Sequence, residues 1–214
     1  MREAPGHRYG AVLLLTLAMA TFALAAPDGR FSGVIALAFA GAALLAAMLT
    51  SGARTEVRRR AMAVLALTLV VSGAAAVAGV PPGVVGLAAT AIANAATMAV
   101  ILAGLVRLVA DRGVIVEAVF GALAIYLLAG LMFGFVIGAV ATGVAGNYFA
   151  QGTDGTQSQR IYFSYAVLTT TGFGDLTART APGRALAVLE MLIGQLYLVT
   201  VIATLVGNLR RRDR

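Results

Sequence analysis

Six apolar runs, each closed by a short polar break, constrain this chain more than any other feature. A run of about 20 apolar residues matches the hydrocarbon thickness of a bilayer when it is helical. The runs fall at roughly Tyr9–Ala26, Phe31–Thr50, Ala61–Val80, Gly83–Val106, Val114–Val140 and Gly183–Leu209. At 60% hydrophobic and 12% charged residues, the chain has more apolar surface than a water-soluble domain of 214 residues needs. The breaks are Pro27-Asp28-Gly29-Arg30, the basic stretch Ser51 to Arg60, the uncharged Pro81-Pro82, and a segment holding Arg107, Asp111 and Arg112. The fifth break is long, from about Ala141 to Pro182. The predicted fold class is therefore an all-α membrane protein with six transmembrane helices.

Charge placement orients those helices. All sixteen basic residues are arginine, and the net charge is +7. With the N-terminus in the cytoplasm, twelve arginines lie inside: Arg2, Arg8, Arg54, Arg58, Arg59, Arg60, Arg107, Arg112 and four in the tail. Only Arg30, Arg160, Arg179 and Arg184 lie outside. The positive-inside rule then predicts cytoplasmic N- and C-termini in a plasma membrane. Heavy use of Ala, Gly, Val and Arg, with no Lys, suggests a GC-rich bacterial genome and so an inner membrane. Arginines at the ends of apolar runs argue for topology anchors and against nucleic-acid binding. Arg210, Arg211 and Arg212 in the tail are candidates for contact with anionic lipid. Ala23-Leu24-Ala25 resembles a signal-peptide cleavage site, but the apolar stretch before it is long for a signal core, so retention is expected.

Enzymatic chemistry has little to work with. There is no cysteine, and His7 is the one histidine. No paired carboxylates, nucleotide-binding glycine fingerprint or calcium loop is present, so no enzyme and no cofactor are expected.

The long fifth break contains Thr169-Thr170-Thr171-Gly172-Phe173-Gly174-Asp175. Glycines at alternate positions admit backbone angles closed to other residues. Successive carbonyl oxygens can then face one axis. Non-helical backbone at membrane depth is tolerated where protein buries its outer side. Gln159 to Leu168, just before it, has the length of a short re-entrant helix, whose carbonyl end favours a cation.

This motif resembles the selectivity filter of tetrameric potassium channels, over about Tyr162 to Gly207 plus the fifth run by position. The resemblance implies potassium at the carbonyls of Thr170, Thr171, Gly172, Phe173 and Gly174, replacing the ion's water. It implies support from Asp175 and from an aromatic collar of Tyr162, Phe163 and Tyr165. It also implies a homotetramer, because one chain brings one filter segment. Gly194 falls at the family's hinge position, where either bending or close helix packing would use a glycine. Three departures stand out. Phe173 replaces the usual Tyr, Thr171 replaces Val, and Ala166 sits where some relatives carry Glu. Phe variants occur in potassium-selective relatives, so selectivity remains the leading expectation.

The remaining segments separate into an N-terminal membrane domain, 1–113, and a pore domain, 114–214. Six helices resemble the voltage-gated architecture, but Gly83 to Val106 carries no charge, so steep voltage gating is not expected. Glu190 is the one acidic residue deep inside a predicted span, since Glu117 sits at the very start of the fifth run. It is either a protonatable modulator of the filter or a hydrogen-bond partner of Ser164, Tyr165 or nearby backbone. Leu198, Ile202 and Leu205 fall on one helical stripe with Gly194, predicting an apolar inner cavity. The leading function is passive potassium-selective conduction. The alternatives are a weakly selective cation channel of the same build and, less favoured for lack of repeats, a potassium transporter subunit.

Overall fold

A computed structural model describes residues 9–25, 29, 31–51, 55–79, 83–143 and 145–209. Its helices are α1 (Tyr9–Ala25), α2 (Ser32–Thr50), α3 (Thr55–Val77), α4 (Val84–Arg112), α5 (Val116–Gly143), α6 (Gln157–Leu168) and α7 (Ala181–Leu209). Among the described residues there is no strand, and a single isolated bridge joins Phe149 to Ala178. Five helices, α2, α3, α4, α5 and α7, are long and apolar enough to cross a membrane. The expected first span is apolar but shorter, at 17 described residues. Its expected end at Ala26, the arginine tail and His7 lie outside the described residues.

Helix ends differ from the hydropathy boundaries for local reasons. α3 begins at Thr55, so Arg58, Arg59 and Arg60 ride on its first turns instead of preceding it. α4 continues past Val106 to Arg112, because terminal charges do not interrupt backbone bonding. It stops at Gly113, whose N–H reaches the Val109 carbonyl at 2.9 Å. α6 starts at Gln157, because Thr156 and Gln159 form a reciprocal capping box. α7 starts behind the Thr180 cap with Pro182 in its first turn.

α5 is the hub. Its inward side chains join α1 and α4 in one apolar cluster around Tyr9, Ile101, Leu108 and Leu128. A second cluster joins α1, α2, α4 and α5 to Ile161 of α6. Small residues set the approach of α6 to α5: a Cβ at Gly134 would lie 2.9 Å from the Ile161 backbone. α3 sits at the periphery, against α2, with most of its side chains exposed.

Candidate functional site

The short helix α6 is tied to its neighbours by polar side chains that reach backbone carbonyls. The Ser164 hydroxyl lies 2.7 Å from the Gly130 carbonyl of α5, and the Tyr165 hydroxyl donates to Leu127 at 2.8 Å. Gln157 donates to Gly134 at 3.3 Å. At the far end, Tyr126 of α5 donates to the Leu168 carbonyl at 3.3 Å. That carbonyl is one of the acceptors a helix C-terminus leaves without an intrahelical partner.

The chain then turns into the Thr169–Asp175 loop. Its first half is bound to the end of α6. Thr170 N–H reaches Val167 at 2.9 Å, and Gly172 N–H reaches Ala166 at 3.1 Å. The Thr169 hydroxyl lies 2.7 Å from the Tyr165 carbonyl and 2.8 Å from the Thr171 hydroxyl. Thr171, where the resemblance leads one to expect Val, thus engages a neighbouring hydroxyl.

The loop backbone alternates in hand. Thr170, Gly172 and Gly174 have φ of 57°, 56° and 80°, while Thr171 and Phe173 do not have positive φ. Thr170 is the one non-glycine residue with positive φ among those described. A side chain there costs roughly 1–2 kcal/mol relative to ordinary backbone. Such strain persists only where surrounding structure over-determines it, here through the two main-chain bonds back to α6. Alternation of this kind can bring successive carbonyls to one side of the chain, where an ordinary strand would alternate them.

Of the three aromatic residues expected to surround the loop, one stacks its ring on it within the chain. Tyr162 stacks on Phe173, with centroids 6.1 Å apart and planes 8° apart. Its hydroxyl faces the Asp175 carboxylate. Phe173 therefore keeps a contact to the aromatic support through its ring, although it lacks a tyrosine's hydroxyl. Phe163 and Tyr165 are placed differently from the expectation. Phe163 joins Tyr148 and Phe149 in an edge-to-face cluster under the outer segment, with centroids 6.4 and 5.2 Å from its own. Tyr165 turns toward α5. At about 100° per residue, Phe163 points away from both tyrosines, whereas Tyr162 and Tyr165, three residues apart, differ by only about 60° and are separated by the partners their hydroxyls find.

The outer segments brace each other across the two ends of the loop. Ala150 N–H reaches Thr177 at 2.9 Å and Arg179 N–H reaches Tyr148 at 2.9 Å. Asp154 accepts from the Tyr148 N–H at 2.8 Å, and its carbonyl accepts from Arg160 at 2.9 Å. Burial first, and the Glu190 carboxyl second, push the Tyr148 phenol up to about 12, so it is a neutral group at physiological pH.

The two candidates on α7 are both buried against α6. Gly194 lies against the Leu168 carbonyl, and a Cβ there would collide with it. That contact needs a residue without a side chain, and the helix around Gly194 is regular. Glu190 is fully buried and its Oε1 contacts the Ser164 hydroxyl.

α7 departs from α-helical geometry at Leu198–Ile202, a π-helical turn. The Thr200 hydroxyl donates to the Leu196 carbonyl there. Such a turn holds one extra residue and rotates the downstream face by about 100°. Ile202 and Leu205 consequently pack against the α1–α4–α5 cluster, away from the expected cavity stripe. Leu196, Val199, Ala203 and Val206 are exposed instead.

Tyr126, Tyr197 and Gly130 were not expected at the site. Tyr197 donates to the Ala122 carbonyl of α5 at 2.9 Å and stacks on Tyr126 with centroids 6.1 Å apart. The signal was present in kind: a tyrosine inside an apolar run must find a partner for its hydroxyl. Comparisons with curated proteins and with solved structures gave no match. Residues 122–211, which take in most of α5 and all of α6, the Thr169–Asp175 loop and α7, match the family model described as an ion channel. This part of the chain is therefore similar to ion-channel pore segments.

Proposed function

We propose that this protein is a passive, potassium-selective channel of the plasma membrane, built from four copies around one axis. The observation that carries the reading is the alternating backbone at Thr170, Gly172 and Gly174, held to the end of α6 by main-chain bonds. A backbone of that form can present the carbonyls of Thr170, Thr171, Gly172, Phe173 and Gly174 to a dehydrated cation. A re-entrant placement of α6 is supported by its 12 residues between two long apolar helices. Such a helix is too short to cross a bilayer, which suits a segment that enters and leaves on one side. Four copies are required because one chain supplies one wall of the pathway. Both termini lie in the cytoplasm by arginine placement, and the tail arginines Arg210, Arg211 and Arg212 meet anionic headgroups.

The second reading is a weakly selective cation channel of the same build. The observation favouring it is that Phe173 offers no hydroxyl to hold the loop's width, leaving ring stacking on Tyr162. Flux through the purified protein in liposomes separates the readings. Potassium flux well above sodium flux, blocked by barium, is the expected result. Equal fluxes would give the weakly selective reading the lead. No flux through a folded assembly would overturn both.

A further inference from the structure

A hydrogen-counting problem lies behind the Thr169–Asp175 loop. The Ser164 hydroxyl of α6 contacts two oxygen atoms, the Gly130 carbonyl of α5 at 2.7 Å and Glu190 Oε1 of α7. A serine hydroxyl has one hydrogen to give, and a backbone carbonyl can only accept. If Glu190 were a carboxylate, two acceptors would compete for that hydrogen and one contact would be left without any.

The surroundings do not favour a carboxylate either. Glu190 is 0% exposed, and its Oε2 has no hydrogen-bond partner among the described residues. No salt bridge reaches it among those residues. A buried charge with one oxygen unpartnered and no cation opposite is costly. The titratable groups that face it are phenols: Tyr148 from the outer segment and Tyr165 from α6, with Tyr126 of α5 beside Tyr165. These are neutral at physiological pH and bring no compensating charge.

We infer that Glu190 is a carboxylic acid that donates to Ser164, which in turn donates to Gly130, so that one transferable proton joins α7, α6 and α5 in a single chain of hydrogen bonds. Glu190 is then a positioning residue: it touches no permeant ion and acts through Ser164 on the helix that carries the loop. Removal of the proton leaves Ser164 with one hydrogen for two acceptors, and α6 loses its tie to one neighbour. The pore form of this inference rests on the channel reading above; the protonation state does not.

The test has two arms on the full chain in lipid nanodiscs or liposomes. Infrared spectroscopy at neutral pH should show a protonated-carboxyl C=O band in the wild type. Glu190→Gln should lack it, and Ser164→Ala should shift it to higher frequency as the carboxyl loses its partner. In the flux arm, wild-type potassium-over-sodium selectivity should fall as pH is raised. Glu190→Gln, whose amide keeps a donor toward Ser164, should hold its selectivity flat over the same range. No band attributable to Glu190, an unshifted band in Ser164→Ala, or a pH profile shared by wild type and Glu190→Gln would each overturn the inference. If no variant conducts, the channel reading fails, and the infrared arm still decides the proton. If Glu190→Gln does not assemble, the Ser164→Ala shift decides it.

Discussion

The two halves of this molecule use their hydroxyl groups differently. In the first four helices, threonine hydroxyls mostly return to their own helix. Thr16 donates to Val12, Thr21 to Leu17, Thr68 to Val64, Thr90 to Gly86 and Thr97 to Ala93, each four residues back. Those helices meet through apolar contact and small residues. From α5 onward threonines still bond four residues back, as Thr142 does to Gly138 and Thr200 to Leu196, but serine and tyrosine hydroxyls cross between helices: Ser164 to Gly130, Tyr165 to Leu127, Tyr126 to Leu168 and Tyr197 to Ala122. Apolar contact among helices is non-directional and tolerates small sliding. Hydrogen bonds fix position to a few tenths of an ångström. The half that carries the Thr169–Asp175 loop is the half whose helices are held in register. Two bonds join regions otherwise held by packing: Tyr9 to Ser51 at 3.2 Å and Ser158 to the Leu24 carbonyl at 2.7 Å. The second ties α1 to the start of α6.

The contrast can be broken most sharply in the loop itself. Gly172→Ala and Gly174→Ala place a side chain at φ of 56° and 80°. No atom stands within 4 Å of the new Cβ, so the cost is backbone strain and not collision. At roughly 1–2 kcal/mol in each of four copies, potassium-selective flux should fall by about tenfold or more. Unchanged flux in both variants would remove the loop from the conduction pathway.

Gly194→Ala should be next in size, and through assembly instead of strain. Its Cβ would strike the Leu168 carbonyl, a backbone atom held by Tyr126. Overpacking of this kind costs about 1–3 kcal/mol, and the thermal stability of the detergent-solubilised protein should drop. Gly207→Ala is the matched control, because nothing lies within 4 Å of its Cβ. Equal losses in both would mean that the α6–α7 contact has no special weight.

Tyr162→Leu removes the ring stacked on Phe173, worth about 0.5–1.5 kcal/mol beyond its area. The potassium-to-sodium flux ratio should decline, with Tyr162→Phe intermediate because it keeps the ring and loses only the hydroxyl facing Asp175. A ratio indifferent to both would show that the loop is held by its main-chain bonds alone. Thr68→Ala on α3 should change flux and stability least, within about 0.5 kcal/mol, because its hydroxyl serves only its own helix. A large effect there would mean that the peripheral helix has a coupling role its contacts do not suggest.

Much of this arrangement was legible in the amino-acid order. Hydropathy located the long apolar helices because burial in a bilayer leaves a run that water-soluble packing does not. The length of the segment before Thr169 indicated a short helix, and the alternating glycines marked a loop of unusual backbone. Ser164 was among the partners expected for Glu190, because a carboxyl at that depth needs one. The directions of side chains were less legible. Tyr162, Phe163 and Tyr165 are close in sequence, but helical rotation and the partners of the two hydroxyls send one to the loop, one to an outer aromatic cluster and one to α5. The stripe through Leu198, Ile202 and Leu205 assumed unbroken 3.6-residue periodicity. The π turn removed that assumption, and no residue type announces such a turn unambiguously. Gly130 and Gly134 of α5 gave no signal of which helix they admit, since a glycine in an apolar run is compatible with many neighbours.

The most direct test of the central claim is to locate the permeant ion. Crystals or grids of the assembled protein in rubidium or thallium should show a column of heavy-cation density on the symmetry axis beside the carbonyls of Thr170, Thr171, Gly172, Phe173 and Gly174. An assembled protein with no cation on that axis, or with cations bound elsewhere and the Thr169–Asp175 loops turned away from it, would contradict the account.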